Sequence, residues 1–150
     1  MRNTMELTSP VFTHEGMIPK RYTCDGLDIS PPLVISDVPE EAESLVLIMD
    51  DPDAPSGTWD HWVVFNISPS VREIEEELGP EGVFGVGTSG ETMYQGPCPP
   101  DREHRYFFRV YALDTLIDLP EGSKKHEVER AMSEHILDEA ELMGVYDRAR

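Results

Sequence analysis

The chain has 150 residues, a usual length for one folded domain and enough to bury a hydrophobic core. Thirty Asp and Glu against twelve Lys and Arg give a net charge of −18, which disfavours binding to nucleic acids and to acidic membrane surfaces. No apolar run has the length of a transmembrane helix or a signal peptide, so we expect one domain over residues 1–150, located in the cytoplasm.

The basic residues include only three lysines, Lys20, Lys124 and Lys125. An acidic surface that is poor in Lys suits a cytoplasm of high salt, where screening weakens the self-repulsion of the chain. The same composition also fits an ordinary acidic bacterial or archaeal protein. The composition leaves both interpretations open.

Four segments have the pattern of β-strands. Pro32–Ile35 is a weak candidate because prolines surround it. Ser44–Met49 is a continuous apolar run, which predicts a buried strand because it is too short for a helix. His61–Ile67 is rich in β-branched and aromatic residues, and Arg105–Leu113 alternates between two faces. Further short strands are expected near the N-terminus.

The remaining chain divides into a long connection and a helix. Ser68–Asp101 is rich in Gly and Glu, and a connection of this length is either functional or contains short elements. Apolar side chains recur at helical spacing over Lys124–Met143, with Ser123 as N-cap and Gly144 as C-terminal stop. These elements predict a mainly β fold, an antiparallel β-sandwich or Greek-key-like core with a peripheral C-terminal helix.

Polar side chains extend the core-facing rows of three predicted strands. Asp51 continues the core-facing row of Ser44–Met49 beyond the end of that strand. His61 lies on the same face as the apolar row within Val63–Ile67. His104 and Tyr106 extend the core-facing row of Arg105–Leu113 toward the N-terminal end of that strand. Polar groups at the rim of a core, next to loops, are how a small ligand site is usually made.

Two stiff loops flank this rim. Asp50–Pro55 carries three carboxylates and two prolines, and Gly96–Pro100 carries three prolines and a glycine that lets the backbone approach a ligand. Rigid loops lower the entropic cost of binding. The sequence therefore predicts a preorganised ligand site.

The two cysteines, Cys24 and Cys98, are too few for a disulfide scaffold and lack metal-binding spacing. Free thiols are the expectation for a reducing cytoplasm. A bridge is the alternative, because each cysteine lies beside turn-forming residues and the two loops could meet.

Four stretches, in this order, resemble the signature of the phosphatidylethanolamine-binding protein (Raf kinase inhibitor-like) family in its bacterial and archaeal branch. The similarity runs from about Leu7 to Tyr146. The stretches are Tyr22–Gly26 followed by Ser30–Leu33, Asp50–Pro55, Trp59–Val64, and Gly96–Pro100 with His104–Tyr106.

The resemblance implies a β-sandwich-like core and a small pocket for phosphate-like groups. Family members are described as headgroup binders, kinase regulators or protease inhibitors without a shared reaction, so we expect no enzyme activity and no cofactor. The implied partners are a small anionic ligand, a kinase or protease target and, as often in prokaryotic members, a second copy of the chain. The implied pocket residues are Asp51, Asp53, Pro55, Trp59, His61, Gly96, Pro99, His104 and Tyr106.

Each polar residue of the implied pocket can be given a role in binding a phosphate-like group. His61 and His104 would donate hydrogen bonds to a phosphate, and Tyr106 would donate its hydroxyl. Asp51 and Asp53 would orient the histidines or receive the ammonium of a zwitterionic ligand, with turn-capping as the alternative for Asp53. Trp59 would form one wall of the pocket. A second wall would differ from that of the family, because Gly85–Gln95 departs from the family pattern.

Two other functions compete with anion binding. His61, His104 and Asp51 could form the metal site of a hydrolase, although no HxH or HxxxH spacing supports it. The stiff loops could instead occupy the cleft of a target enzyme, as an inhibitor does.

Overall fold

The computed structural model describes residues 4–149, so both ends of the predicted 1–150 domain lie outside the described residues. A single turn of 3-10 helix covers Lys20–Tyr22. The strands and the α-helix, in chain order, are β1 (Glu6–Thr8), β2 (Leu33–Ser36), β3 (Ser44–Asp51), β4 (Trp59–Ile67), β5 (Glu73–Ile74), β6 (Val83–Phe84), β7 (His104–Leu113), α1 (Lys125–Met132) and β8 (Ile136–Tyr146).

The strands form two antiparallel sheets that enclose the main core. The smaller sheet has the order β1-β2-β5, and the larger has the order β6-β4-β3-β7-β8. The predicted mainly β class is confirmed, and each of the four predicted strands is present. The long connection contains the short strands β5 and β6, which is one of the two alternatives that its length allowed.

The larger sheet is buried on both faces. Leu45, Leu47 and Met49 of β3 face the core between the sheets. Val46 and Ile48 of the same strand face a second cluster that α1 covers. Burial of both faces explains why this segment is a continuous apolar run rather than an alternating one. Each fully buried aliphatic side chain of this kind contributes about 1.5–3 kcal/mol to stability.

The predicted helix Lys124–Met143 is wrong in its second half. The helix ends at Met132, and its continuation is β8, in which alternate residues from Asp138 to Tyr146 are buried. Residues four apart share a face in a helix and also in a strand, so the apolar spacing fitted both structures. Gly144 is not a helix stop: it lies within β8, where a Cβ would be only 2.5 Å from Ile18 Cγ1.

The described residues contain one α-helix, and it has eight residues. Within residues 4–149, no helix combines the length and apolar character needed to cross a membrane.

Candidate functional site

A cavity of about 340 Å³ opens at one end of the larger sheet. β3 ends at this edge, and its antiparallel neighbours β4 and β7 begin there, so their rim residues converge. Eight of the nine predicted site residues line the cavity: Asp51, Pro55, Trp59, His61, Gly96, Pro99, His104 and Tyr106. Six residues that were not predicted complete the lining: Cys24, Asp28, Ala54, Gln95, Cys98 and Pro100.

His104 is held between two carboxylates. Its Nδ1 lies 2.6 Å from Asp51 Oδ2, and its Nε2 lies 2.7 Å from Asp101 Oδ1. The imidazole and Asp51 are almost completely buried, whereas the Asp101 side chain is 45% exposed. Because a carboxylate only accepts hydrogen bonds, both ring nitrogens donate, and the ring is an imidazolium.

Burial by itself would lower the pKa of His104. The hydrogen bonds to Asp51 and Asp101 outweigh that effect and raise the pKa above its ordinary value. Asp51 is fixed in turn, because its Oδ1 accepts a hydrogen bond of 2.7 Å from the backbone N–H of Asp53. The cavity wall therefore contains a positive charge whose orientation is set by a buried carboxylate.

His61 carries the opposite protonation state. Its Nδ1 lies 2.7 Å from the carbonyl oxygen of Gln95, which can only accept, so Nδ1 carries the hydrogen. Burial lowers the pKa of His61 below its ordinary value, with partial compensation from the Gln95 hydrogen bond. Near neutral pH this ring is neutral, and Nε2 is the nitrogen left for a ligand.

The predicted reason for the position of His61 is wrong. Val63 and Phe65 face the α1 side of the sheet, so strict alternation would place His61 there as well. The pairing slips between Met49 opposite Trp62 and Asp50 opposite Asp60, which leaves His61 as an extra residue in β4. This β-bulge turns the imidazole toward the cavity, as bulges beside functional sites often do.

Tyr106 lies between the two histidine rings. Its ring centroid is 5.4 Å from that of His61, in an edge-on arrangement, and 6.3 Å from that of His104. Burial raises the pKa of Tyr106 well above its ordinary value, and nearby carboxylates add to the shift. The hydroxyl is thus a protonated donor at all physiological pH values.

Asp53 is the predicted site residue that does not line the cavity. Its carboxylate forms a bidentate pair with the Arg105 guanidinium, at 2.9 Å from Nε and 2.8 Å from Nη2. Oδ2 also accepts a hydrogen bond from the Arg105 backbone N–H. These contacts lower the pKa of Asp53 to about 2. Asp53 therefore joins the Asp50–Pro55 loop to the start of β7.

A disulfide forms part of the cavity wall. Cys24 and Cys98 are bonded, with their Cα atoms 5.4 Å apart, so the expectation of free thiols is wrong and the alternative holds. The Cys24 backbone N–H also donates to the Pro97 carbonyl. Gly96 approaches the Tyr22 carbonyl and Asp28 so closely that no Cβ would fit there. The bridge and this close packing hold the Gly96–Pro100 loop in place.

Asp28 and Gln95 are the polar lining residues that the sequence did not indicate. Asp28 Oδ1 accepts a hydrogen bond of 2.8 Å from the Gly96 N–H. Asp28 lies between two stretches of the family signature, which was the only signal for it. Gln95 contributes a backbone carbonyl, and the identity of its side chain carries no information about that role.

The donor set does not suit a metal ion. Both nitrogens of His104 are already hydrogen-bonded. Among residues 4–149, no group of three or more His, Cys, Asp or Glu side chains is arranged to hold a metal. The imidazolium form of His104 also lacks the lone pair that a metal ligand needs.

The two histidines are expected to give opposite pH dependences of stability on either side of pH 6.5, their ordinary pKa. The raised pKa of His104 contributes stability that is complete below pH 6.5 and is lost as the pH rises through its folded value. The lowered pKa of His61 makes stability fall as the pH drops below 6.5, because the unfolded chain then binds a proton that the folded chain does not.

Urea unfolding of the wild type, His104→Gln and His61→Gln over a pH series measures both effects. The difference between wild type and His104→Gln should shrink above pH 6.5, and that for His61→Gln should change below it. His126→Gln, an exposed position on α1, is the control for loss of an imidazole outside the cavity. Parallel curves for all three variants would contradict the assigned protonation states.

Comparisons with known proteins show the family of the chain. Residues 8–147 match the family model of phosphatidylethanolamine-binding proteins. A UPF0098 protein of Methanothermobacter thermautotrophicus is 53% identical over 150 residues, covering 96% of this chain and 99% of the relative. A UPF0098 protein of Chlamydia pneumoniae is 45% identical, covering 97% of this chain and all of the relative.

Two solved structures have the same fold. One is a crystal structure described as a putative phosphatidylethanolamine-binding protein homologue of Chlamydia trachomatis, with a TM-score of 0.95, 48% identity, and coverage of 99% of this chain and 100% of that one. The other is E. coli YbcL, described as a member of the mammalian family, with a TM-score of 0.89, 30% identity, and coverage of 97% and 99%. The chain belongs to the phosphatidylethanolamine-binding protein family.

Proposed function

We propose that the cavity binds a small phosphorylated group, and that the chain is a non-enzymatic binding protein that regulates a protein target. The observation that carries this proposal is the environment of His104. A buried imidazolium lies in the cavity wall, and an exposed carboxylate oxygen of Asp101 already occupies its Nε2 at 2.7 Å. A phosphate oxygen has the same chemistry as that acceptor.

Binding would replace one oxyanion by another. Because the Asp101 side chain is half exposed, it can turn into water at little cost and leave Nε2–H to the ligand. His61 would take up a proton beside the new negative charge and become a second donor. The Tyr106 hydroxyl, between the two rings, would supply a third hydrogen bond.

The carboxylates of the cavity favour a zwitterion over a bare anion. Asp28 and Asp51 both line the cavity, and together they exceed the single charge of His104. Asp28 uses one oxygen for the Gly96 N–H and can receive an ammonium group with the other. Phosphorylethanolamine, which carries a phosphate and an ammonium, therefore fits better than inorganic phosphate.

The hydrolase alternative has less support. Cys98 is bonded to Cys24 and is no nucleophile in that state, and the histidines do not offer a metal donor set. A kinase or protease as target, a homodimer and a cytoplasmic location stay predictions. A disulfide is typical of oxidising compartments rather than of a reducing cytoplasm.

Calorimetric titration at about pH 6 and low salt tests the proposal. Phosphorylethanolamine should bind most tightly, phosphate more weakly, and ethanolamine alone should give no response. His104→Gln and His61→Gln should each weaken binding at least tenfold, since a hydrogen bond to a charged group contributes about 1.5–3 kcal/mol. Asp101→Asn should strengthen phosphate binding, because it removes the competing carboxylate.

His126→Gln is the matched control and should bind like the wild type. Unchanged affinity in both folded cavity variants would contradict the assignment of this site. Tight zinc binding without any response to phosphorylated ligands would favour the hydrolase instead.

A further inference from the structure

A second cavity, here called the acidic groove, lies on the other side of the segment that carries Gln95. Its volume is about 460 Å³, which is larger than the phosphate-binding candidate and within the usual range of ligand sites. Asp28 borders both cavities, but the remaining lining residues of the groove are different. Those used below are Trp62, Glu77, Leu78, Gly79, Met93 and Tyr94.

The floor of the groove is aromatic and well ordered by its contacts. The rings of Trp62 and Tyr94 meet edge-on with centroids 5.2 Å apart. The Tyr94 hydroxyl donates to the Tyr22 carbonyl at 2.7 Å, which fixes the ring. Gly79, at φ +65°, brings its loop so close to Trp62 that a Cβ would be 3.1 Å from the indole. The groove is thus preformed, which lowers the entropic cost of occupying it.

The walls expose apolar side chains to solvent. Leu78 is 74% exposed and Met93 is 67% exposed, the two highest values among the large hydrophobic side chains of residues 4–149. Both line the same groove as Trp62 and Tyr94. Isolated exposed hydrophobic residues are common, but a pair of them flanking an aromatic cavity indicates an interaction surface.

The ionisable side chains that line the groove are acidic. Asp28 and Glu77 line it, and no described lining residue is basic. Exposed Glu75, Glu81 and Glu91 lie within two positions of lining residues along the chain. This rim attracts a cationic partner and repels an acidic one.

We propose that the acidic groove is a docking site for a basic, amphipathic segment of a partner protein. Apolar side chains of that segment would contact Leu78, Met93 and the aromatic floor, while its Lys or Arg side chains would pair with the rim carboxylates. A second copy of this chain does not fit, because both copies would carry a net charge of −18 and present the same acidic rim. The proposal does not depend on ligand binding in the other cavity.

The two tryptophans of the chain allow a site-specific test, because Trp59 lines the first cavity and Trp62 lines the groove. In the Trp59→Phe variant, all tryptophan emission comes from Trp62. Titration with a synthetic peptide of alternating Lys and Leu should change this emission with saturation. A peptide of alternating Glu and Leu should leave the emission unchanged.

Variants of the wall and rim separate docking from general attraction to an acidic protein. In the Trp59→Phe background, Leu78→Ser with Met93→Ser should weaken peptide binding at least tenfold, and so should Glu77→Lys. Leu116→Ser and Glu134→Lys, exposed positions outside the groove, should have little effect. Equal weakening by groove and control variants, binding of the acidic peptide, or no response of Trp62 would overturn the proposal.

Discussion

Replacing Asp51 with Ala is expected to lower the free energy of unfolding by about 3 kcal/mol, because it removes the buried partner of the His104 imidazolium and leaves the ring with only the half-exposed Asp101. Asp51 is almost completely buried and contacts both His104 Nδ1 and the backbone N–H of Asp53. The effect should be largest below pH 6.5, where the imidazole is charged in the unfolded and the folded chain. Binding of phosphorylethanolamine should be lost as well, since the ring is no longer oriented.

Asp53→Ala is the matched control two residues away. It also removes a carboxylate with a cationic partner, but Arg105 is 52% exposed, so the cost should stay below about 1 kcal/mol. The double variant of Asp51 and His104 should cost less than the sum of the two single Ala variants, because it removes both charges. Urea unfolding of these variants gives all the values. Equal losses for Asp51→Ala and Asp53→Ala would contradict the role assigned to the buried pair.

Removing the disulfide is expected to lower the free energy of unfolding by about 3 kcal/mol, because the bridge closes a long loop and so restricts the conformations of the unfolded chain. Cys24 and Cys98 are separated by 74 positions in the sequence. The cavity should be destabilised too, since both cysteines line it and the bridge anchors the Gly96–Pro100 loop. Urea unfolding of Cys24→Ser with Cys98→Ser, beside the wild type with and without reductant, measures the effect.

The reductant should shift the midpoint of the wild type toward that of the double variant and leave the double variant unchanged. Thiol titration of the denatured wild type should detect no free thiol before reduction. Two free thiols, together with a midpoint that reductant does not alter, would show that the bridge is absent in solution.

Much of the β framework was predictable, because the local sequence pattern of its strands agrees with their burial in the folded chain. The runs around β3, β4 and β7 have the composition of buried strands, and the structure places strands at each of them. β8 was not predictable in this way. Its apolar residues at spacings of four satisfy helix and strand alike, and pairing along the whole of β7 decides in favour of the strand.

The site could be predicted in part for a similar reason. Asp51 and Tyr106 follow the alternation of their strands, so their side chains lie where parity places them. His61 reaches the cavity only through a bulge that the pairing of β3 with β4 creates. Asp53 belongs to the same loop as Asp51, but the position of Arg105 in space turns it into a structural clamp.

The sequence by itself determined the mainly β class, the three long central strands, and the family to which the motifs point. Those features depend on composition, alternation and short motifs, which are local properties of the chain. The tertiary structure decided the protonation states of His61 and His104, the Cys24–Cys98 bridge and the acidic groove. Each of these depends on groups that are far apart in the chain, such as Asp51 and His104, and only folding brings such groups within contact distance.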